Sequence, residues 1–231
     1  MGLTYADIKE EFKREVNNDK VCQKLYAKIR NGNASYATTG QLSQQIGKDL
    51  GRVLRRYAPT VSIDEWDLDD LIPKSLGADH AMVVSACKEV QLNMNKDAGI
   101  GLKFKEPKFD WDRVHGLIDE LREHPDSFSD IEKSFYDQLE NFSRNVSDDT
   151  MFSNAQMGWK AGLRTVVIRT ADPGCCKWCT MVAGRYYYDE VKDRGNDVWR
   201  FHENCKCTID YYTEKNGAAY RERVKDKPTE E

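Results

Sequence analysis

The chain has 231 residues, 39% hydrophobic and 10% aromatic, enough to bury a sizeable core split between one large and one small domain. Its net charge is −4, with neither a basic segment leading into an apolar signal stretch nor a run of about 18 apolar residues. These features argue against a membrane protein and predict a soluble product made in the cytosol, where structural disulfides are disfavoured.

The first two-thirds predicts helices, because apolar residues recur at three and four positions rather than two. Ile8, Phe12 and Val16 form one stripe, and Val21, Leu25 and Ile29 a second, before the NGNAS segment at 31–35 breaks the pattern. A helix over about 39–57 follows with Leu42, Ile46, Leu50 and Val53 as its buried face and Pro59 as its stop. The acidic stretch 62–77 predicts a short capped helix, and 80–94 a separate one carrying Met82, Val83, Ala86 and Val90. Gly99-Ile100-Gly101 reads as a turn, since no strand precedes it and no phosphate-loop lysine follows.

Helices are expected over 111–122, with Val114, Leu117, Ile118 and Leu121 on one face, and over 128–146; Ser147 is expected to cap a third that runs to Gly162. His115 and His124 lack a metal-binding neighbour, and Cys22 and Cys87 read as small buried hydrophobes. At Thr165–Thr170 the pattern turns β-branched and predicts a strand, and Cys205–Tyr212 repeats that character. The predicted class is α+β, mainly α. A helical body spans 1–163, a small module of two short strands and loops spans 164–214, and a frayed polar tail spans 215–231.

Five of the seven cysteines fall between 173 and 212. Cys176 and Cys179 form a C-x-x-C pair, and His202 and Cys205 form an H-x-x-C pair, with 22 residues between Cys179 and His202. In a reducing compartment this spacing favours a tetrahedral metal site, and three thiolates with one imidazole favour zinc. Four protein ligands leave no open position, so the expected zinc is structural. Cys205 is the preferred fourth ligand because H-x-x-C mirrors C-x-x-C, with Cys207 as the alternative. The order of motifs does not fit a zinc deaminase, and no hydrolase, phosphate-loop or metalloprotease motif occurs. No catalytic set, and no small-molecule substrate, is predicted.

Charge is uneven: residues 1–157 carry 21 basic and 27 acidic side chains, and 158–225 carry 13 and 9. The cysteine-rich end is thus mildly basic, less so than a dedicated nucleic-acid domain.

The phrases AGLRTVVIRTADPGCCKWCTMVAGRYYYDEV and DVWRFHENCKCTIDYY resemble the minor head (minor capsid) proteins of tailed bacteriophages, the Mu F-like and SPP1-type head morphogenesis family. AGIGL, DWDRVHGLIDEL and NFSRNVSDDTMFSNAQMGWKAGL are similar to the version carried by phages and prophages of Gram-positive bacteria. The family's motif falls on Cys176, Cys179, Ala183, Gly184, Tyr186, His202, Cys205 and Cys207. The resemblance implies a non-enzymatic virion component, made in the host cytoplasm and acting at the portal or inside the head during assembly. It implies the portal, scaffold or major capsid protein as partners, and double-stranded DNA as a further one; the alternative functions are a zinc-stapled DNA-binding protein that contacts the packaged genome and, less favoured, a nuclease or toxin-like enzyme. Tyr186, Tyr187, Tyr188 and Trp199 are candidates for the binding surface or for the module's core. Arg185, Lys192, Arg194, Arg200 and Lys206 are the basic residues a DNA-binding surface would use.

Overall fold

The computed structural model describes residues 2–58, 62–125, 128–202 and 205–213. Among these, seven α-helices precede or interrupt one small antiparallel sheet. Pro59 as a helix stop, and the tail at 215–231, lie outside the described residues.

Helices α1 (Tyr5–Asn18) and α2 (Lys20–Arg30) are separated by Asp19, whose carboxylate accepts the Val21 and Cys22 backbone N–H groups at 2.7 and 2.9 Å and starts the second helix afresh. That cap sets the phase of α2. The buried stripe is Cys22, Leu25 and Ile29, whereas Val21, expected inside, is 48% exposed. Helix α3 (Tyr36–Tyr57) is central and packs against α1, α2, α4 and α6. Its predicted face of Leu42, Ile46, Leu50 and Val53 is fully buried.

Two expected breaks do not occur. The acidic segment and the following helix are one helix, α4 (Leu68–Asp97), with Pro73 inside it. The proline forfeits one backbone hydrogen bond, while its neighbours Leu71, Ile72, Ser75 and Leu76 are all buried. After α5 (Trp111–Glu123), helix α6 runs unbroken from Phe128 to Lys160. Ser147 lies in its middle and does not cap it. The Ser147 hydroxyl lies 2.8 Å from the Thr39 hydroxyl of α3, so its hydrogen bond is tertiary rather than local.

Helices α3 and α6 approach closely at Gly47, where an added Cβ would sit 2.6 Å from Ser143 Oγ, 2.8 Å from Glu140 Cα and 2.9 Å from the Leu139 carbonyl. Ser143 in turn donates to Asp79 of α4 at 2.7 Å, tying three helices together at a fully buried carboxyl. Burial, opposed only by that hydrogen bond, pushes the Asp79 carboxyl up to about 8.

Helix α6 ends at Lys160 and is closed by Gly162 (φ +80°), with the Gly162 and Leu163 N–H groups donating to the Trp159 and Gly158 carbonyls. The chain turns directly into β1 (Thr165–Thr170), the strand expected there. The sheet order is β2-β1-β3, with β2 at Gly184–Tyr187 and β3 at Thr208–Thr213. Strand β2 was not expected; it is four residues long, opens on a glycine and follows the short helix α7 (Lys177–Val182). The sheet shares the body's core. Val167 of β1 with Ile209 and Tyr211 of β3 belong to the same apolar cluster as the helices, and Tyr36 and Tyr211 both donate hydroxyls to Gln91 of α4, at 2.8 and 2.6 Å.

Gly47→Ala is expected to destabilise the protein by about 1–3 kcal/mol, because the atoms met are partly backbone and cannot rotate away; chemical denaturation measures it. Asp79 gives a pH dependence of defined sign. Its carboxyl titrates higher folded than unfolded, so its contribution favours folding below about pH 4 and is lost as pH rises towards 8. Asp79→Asn is therefore expected to melt above the wild type at pH 9, with the difference shrinking towards pH 4.

Candidate metal centre

The sheet register brings the two cysteine motifs together. Thr170, the last residue of β1, pairs with Thr208, the first of β3. The chain leaving β1 carries Cys175, Cys176 and, in the first turn of α7, Cys179; the chain entering β3 carries His202, Cys205 and Cys207.

Side chains of Cys176, Cys179 and His202 form one group whose donor atoms all lie within 4.8 Å, and Cys179, Cys205 and Cys207 form another. Cys179 is common to both. Its Sγ is 3.5 Å from Cys205 Sγ, and Cys176 Sγ is 3.4 Å from His202 Nε2. Thiolates around a tetrahedral ion with metal–sulfur bonds of about 2.3 Å stand about 3.8 Å apart, so the Cys179–Cys205 spacing suits a shared ion, while the two groups meet only at Cys179 and must close towards each other for four donors to share one ion. Cys179, Cys205 and Cys207 are buried, while Cys176 and His202 lie at the surface. All five expected ligand residues are thus brought together and could hold a metal ion. Cys205 and Cys207 both reach Cys179, as two positions on one face of an extended segment should.

The sulfurs differ in acidity. Burial pushes the Cys179 thiol up to about 12, helped by contacts with Cys205 and Cys207 and opposed by Arg169. Burial also raises Cys205. Cys176 sits at the N-terminus of α7, where the Cys179 backbone N–H chiefly lowers it, with the Trp178 N–H and His202 acting the same way. Burial works to raise Cys207, but the Asp172 N–H, 3.4 Å from its Sγ, and the neighbouring thiols outweigh it and bring it below the ordinary value. A coordinating ion overrides these differences by deprotonating each ligand outright.

Two arginines that sequence reasoning missed hold the loop. Arg144 of α6 donates to the carbonyls of Cys205 and Cys207, both at 2.7 Å, and its guanidinium lies 3.5 Å from the Phe201 ring centre. Arg169 of β1 donates to the carbonyls of Val198 and Arg200 at 2.8 and 2.6 Å, and reaches Cys179 Sγ at 3.7 Å. Neither belongs to a cysteine motif. The one available signal was an arginine inside the β-branched run TVVIRT, an unusual place for a charge unless something buried answers it.

Of the surface candidates, Tyr188 and Trp199 are core: they are 0% and 3% exposed and pack against Phe152. Tyr186 and Tyr187 are half-buried on β2, with Arg164 stacked over Tyr187. Arg185 and Lys206 are exposed, Arg194 pairs with Asp149 at 2.5 Å, and Arg200 pairs with Asp197 at 3.3 Å. Lys192 is exposed beside the Trp159 ring. Among the described residues no helix is long and apolar enough to cross a membrane.

The family model described as VG15 protein matches residues 112–227, half of the chain, and spans α5 from its second residue, the whole of α6 and the cysteine module. No curated protein and no solved structure matches the chain.

Protein purified under reducing conditions is expected to carry one metal ion per chain by elemental analysis and native mass spectrometry. Cys179→Ser should abolish it. Cys205→Ser and Cys207→Ser are expected to separate, one losing the ion and the other keeping it, which identifies the ligand that closes the site. Absence of metal from every preparation would rule the site out.

Proposed function

The chain belongs to the VG15 protein family, and on that footing we propose that it is a phage minor capsid or head morphogenesis protein, a non-enzymatic virion component whose cysteine module is stapled by a structural zinc ion. The observation that carries the reading is the coincidence of two things on one segment. The family match covers the cysteine module, and the same segment bears the C-x-x-C and H-x-x-C-x-C pattern that resembles the phage head proteins, with its donors gathered at metal-binding distances.

Zinc suits three thiolates and an imidazole held closed, and such a site supplies folding energy rather than catalysis, on the order of 10 kcal/mol in small metal-dependent modules. The module then presents β2, with Arg185 exposed and Tyr186 and Tyr187 half-buried, as a rigid edge for a portal, scaffold or major capsid protein. The DNA alternative is less favoured. Two of the five basic residues it would use, Arg194 and Arg200, already face carboxylates.

The test is co-elution of the purified chain with the portal, scaffold and major capsid proteins encoded in the same genome, alongside gel shifts with double-stranded DNA at graded salt. The expected result is a complex with a head protein that weakens at least about tenfold in the Arg185→Glu/Tyr187→Ala double variant, as loss of an interface anchor does. Binding to none of the head proteins would overturn the proposal. A salt-sensitive DNA shift, abolished by charge reversal at Arg185, Lys192, Arg194, Arg200 and Lys206, would replace it with the DNA reading.

A further inference from the structure

Arg169 carries a positive charge into the module with no carboxylate among the described residues to meet it. It is 2% exposed, and no Asp or Glu pairs with it among the described residues. Nη1 is taken up by the carbonyls of Val198 and Arg200, with a longer bond to the backbone carbonyl of Asp197 at 3.4 Å. Nη2 faces Cys179 Sγ at 3.7 Å, and Nε has no hydrogen-bond partner. The rings of Trp178 and Phe201 lie 5.2 and 4.8 Å from the guanidinium carbon. The contrast with the buried arginine on the other side of the loop is direct: Arg144 of α6 has Asp148 four residues along its helix at 3.5 Å.

Carbonyls and rings orient a guanidinium, but a buried charge also needs an opposite charge to be tolerated. The nearest group able to supply one is the sulfur of Cys179, the ligand common to both halves of the cluster. Three thiolates and a neutral imidazole around a divalent ion sum to one net negative charge. A single guanidinium cancels it.

We propose that Arg169 is the counter-ion of the cysteine and histidine site, a positioning residue that neutralises the metal–thiolate assembly through Cys179 while its other arm fixes the loop leading to His202. This rests on the reading of the cluster as a metal centre. Ion uptake by three thiols releases three protons and leaves the site one unit more negative, so a fixed positive charge beside it favours the loaded state at any given pH.

The experiment uses the full chain with zinc as the probe and measures affinity by competition with a chromophoric chelator. Arg169→Lys keeps the charge and loses the fork; Arg169→Gln keeps a donor for the carbonyls and loses the charge. Arg169→Gln is expected to bind zinc at least about tenfold more weakly, in the range typical for partners of metal ligands, and Arg169→Lys to stay within about threefold of wild type. Equal losses in both, or none in Arg169→Gln, would overturn the counter-ion role while leaving the metal centre standing. A wild type that takes up no zinc would overturn both. Should the variants not fold, the guanidinium nitrogen resonances of Arg169 in the wild type decide the matter: they are expected to shift on zinc uptake, and unchanged resonances would contradict the proposal.

Discussion

Four backbone carbonyls of the loop between β2 and β3 are held by two buried guanidinium groups, and the geometry of the cysteine cluster depends on that arrangement. Carbonyls in an irregular buried segment have no ladder to satisfy them, and leaving one unpaired costs about 1–3 kcal/mol. Arg169 takes those of Val198 and Arg200 from the sheet side, and Arg144 takes those of Cys205 and Cys207 from the long helix. Phe201, between the two pairs in sequence, has both guanidinium groups beside its ring. His202, Cys205 and Cys207 are therefore not carried on a free loop. Their backbone is tied to β1 and to α6 before any ion is considered.

The helical body matters to this site chiefly through α6. A helix of 33 residues puts Phe135, Leu139 and Phe142 into the core, Ser143 and Ser147 against α4 and α3, and Arg144 under the cysteine loop. The close approach at Gly47 fixes how α6 lies on α3, so packing between two helices is transmitted to the position of Arg144. At the other end Gly162 reverses the chain into β1, which delivers Arg169 to the opposite side of the loop. The body is in this sense the template on which the module's donors converge. This gives a physical reason for the family match to begin in α5 rather than at the first cysteine.

Much of this was legible in the sequence, and the parts that were not share a cause. Stripes at helical spacing located α1, the core face of α3 and all four buried residues of α5, and the β-branched run located β1 to the residue. The gathering of Cys176, Cys179, His202, Cys205 and Cys207 was readable because the spacing within each motif is local. Ser147 was misread because serine caps helices when its hydroxyl must find a backbone partner; here it found Thr39, more than a hundred residues away. Val21 was misplaced because the phase of α2 is set by Asp19, which shifts the stripe by one residue to Cys22. Strand β2 carries a glycine and an arginine in four residues and exists because β1 offers it an edge. Arg144 and Arg169 could not be found by motif, since their partners are carbonyls, which no sequence pattern marks. Tyr188 and Trp199 sit among residues of identical character that stay nearer the surface, and only the fold separates them.

The central claim is that one divalent ion is held by three sulfurs and one imidazole within a loop fixed by two arginines. X-ray absorption spectroscopy of the zinc-loaded chain tests it most directly, because it reads the donor atoms around the ion itself. The account predicts three sulfur scatterers at about 2.3 Å and one nitrogen at about 2.0 Å, with the nitrogen lost in His202→Ala. A shell dominated by oxygen and nitrogen, or four sulfurs that His202→Ala leaves unchanged, would contradict it.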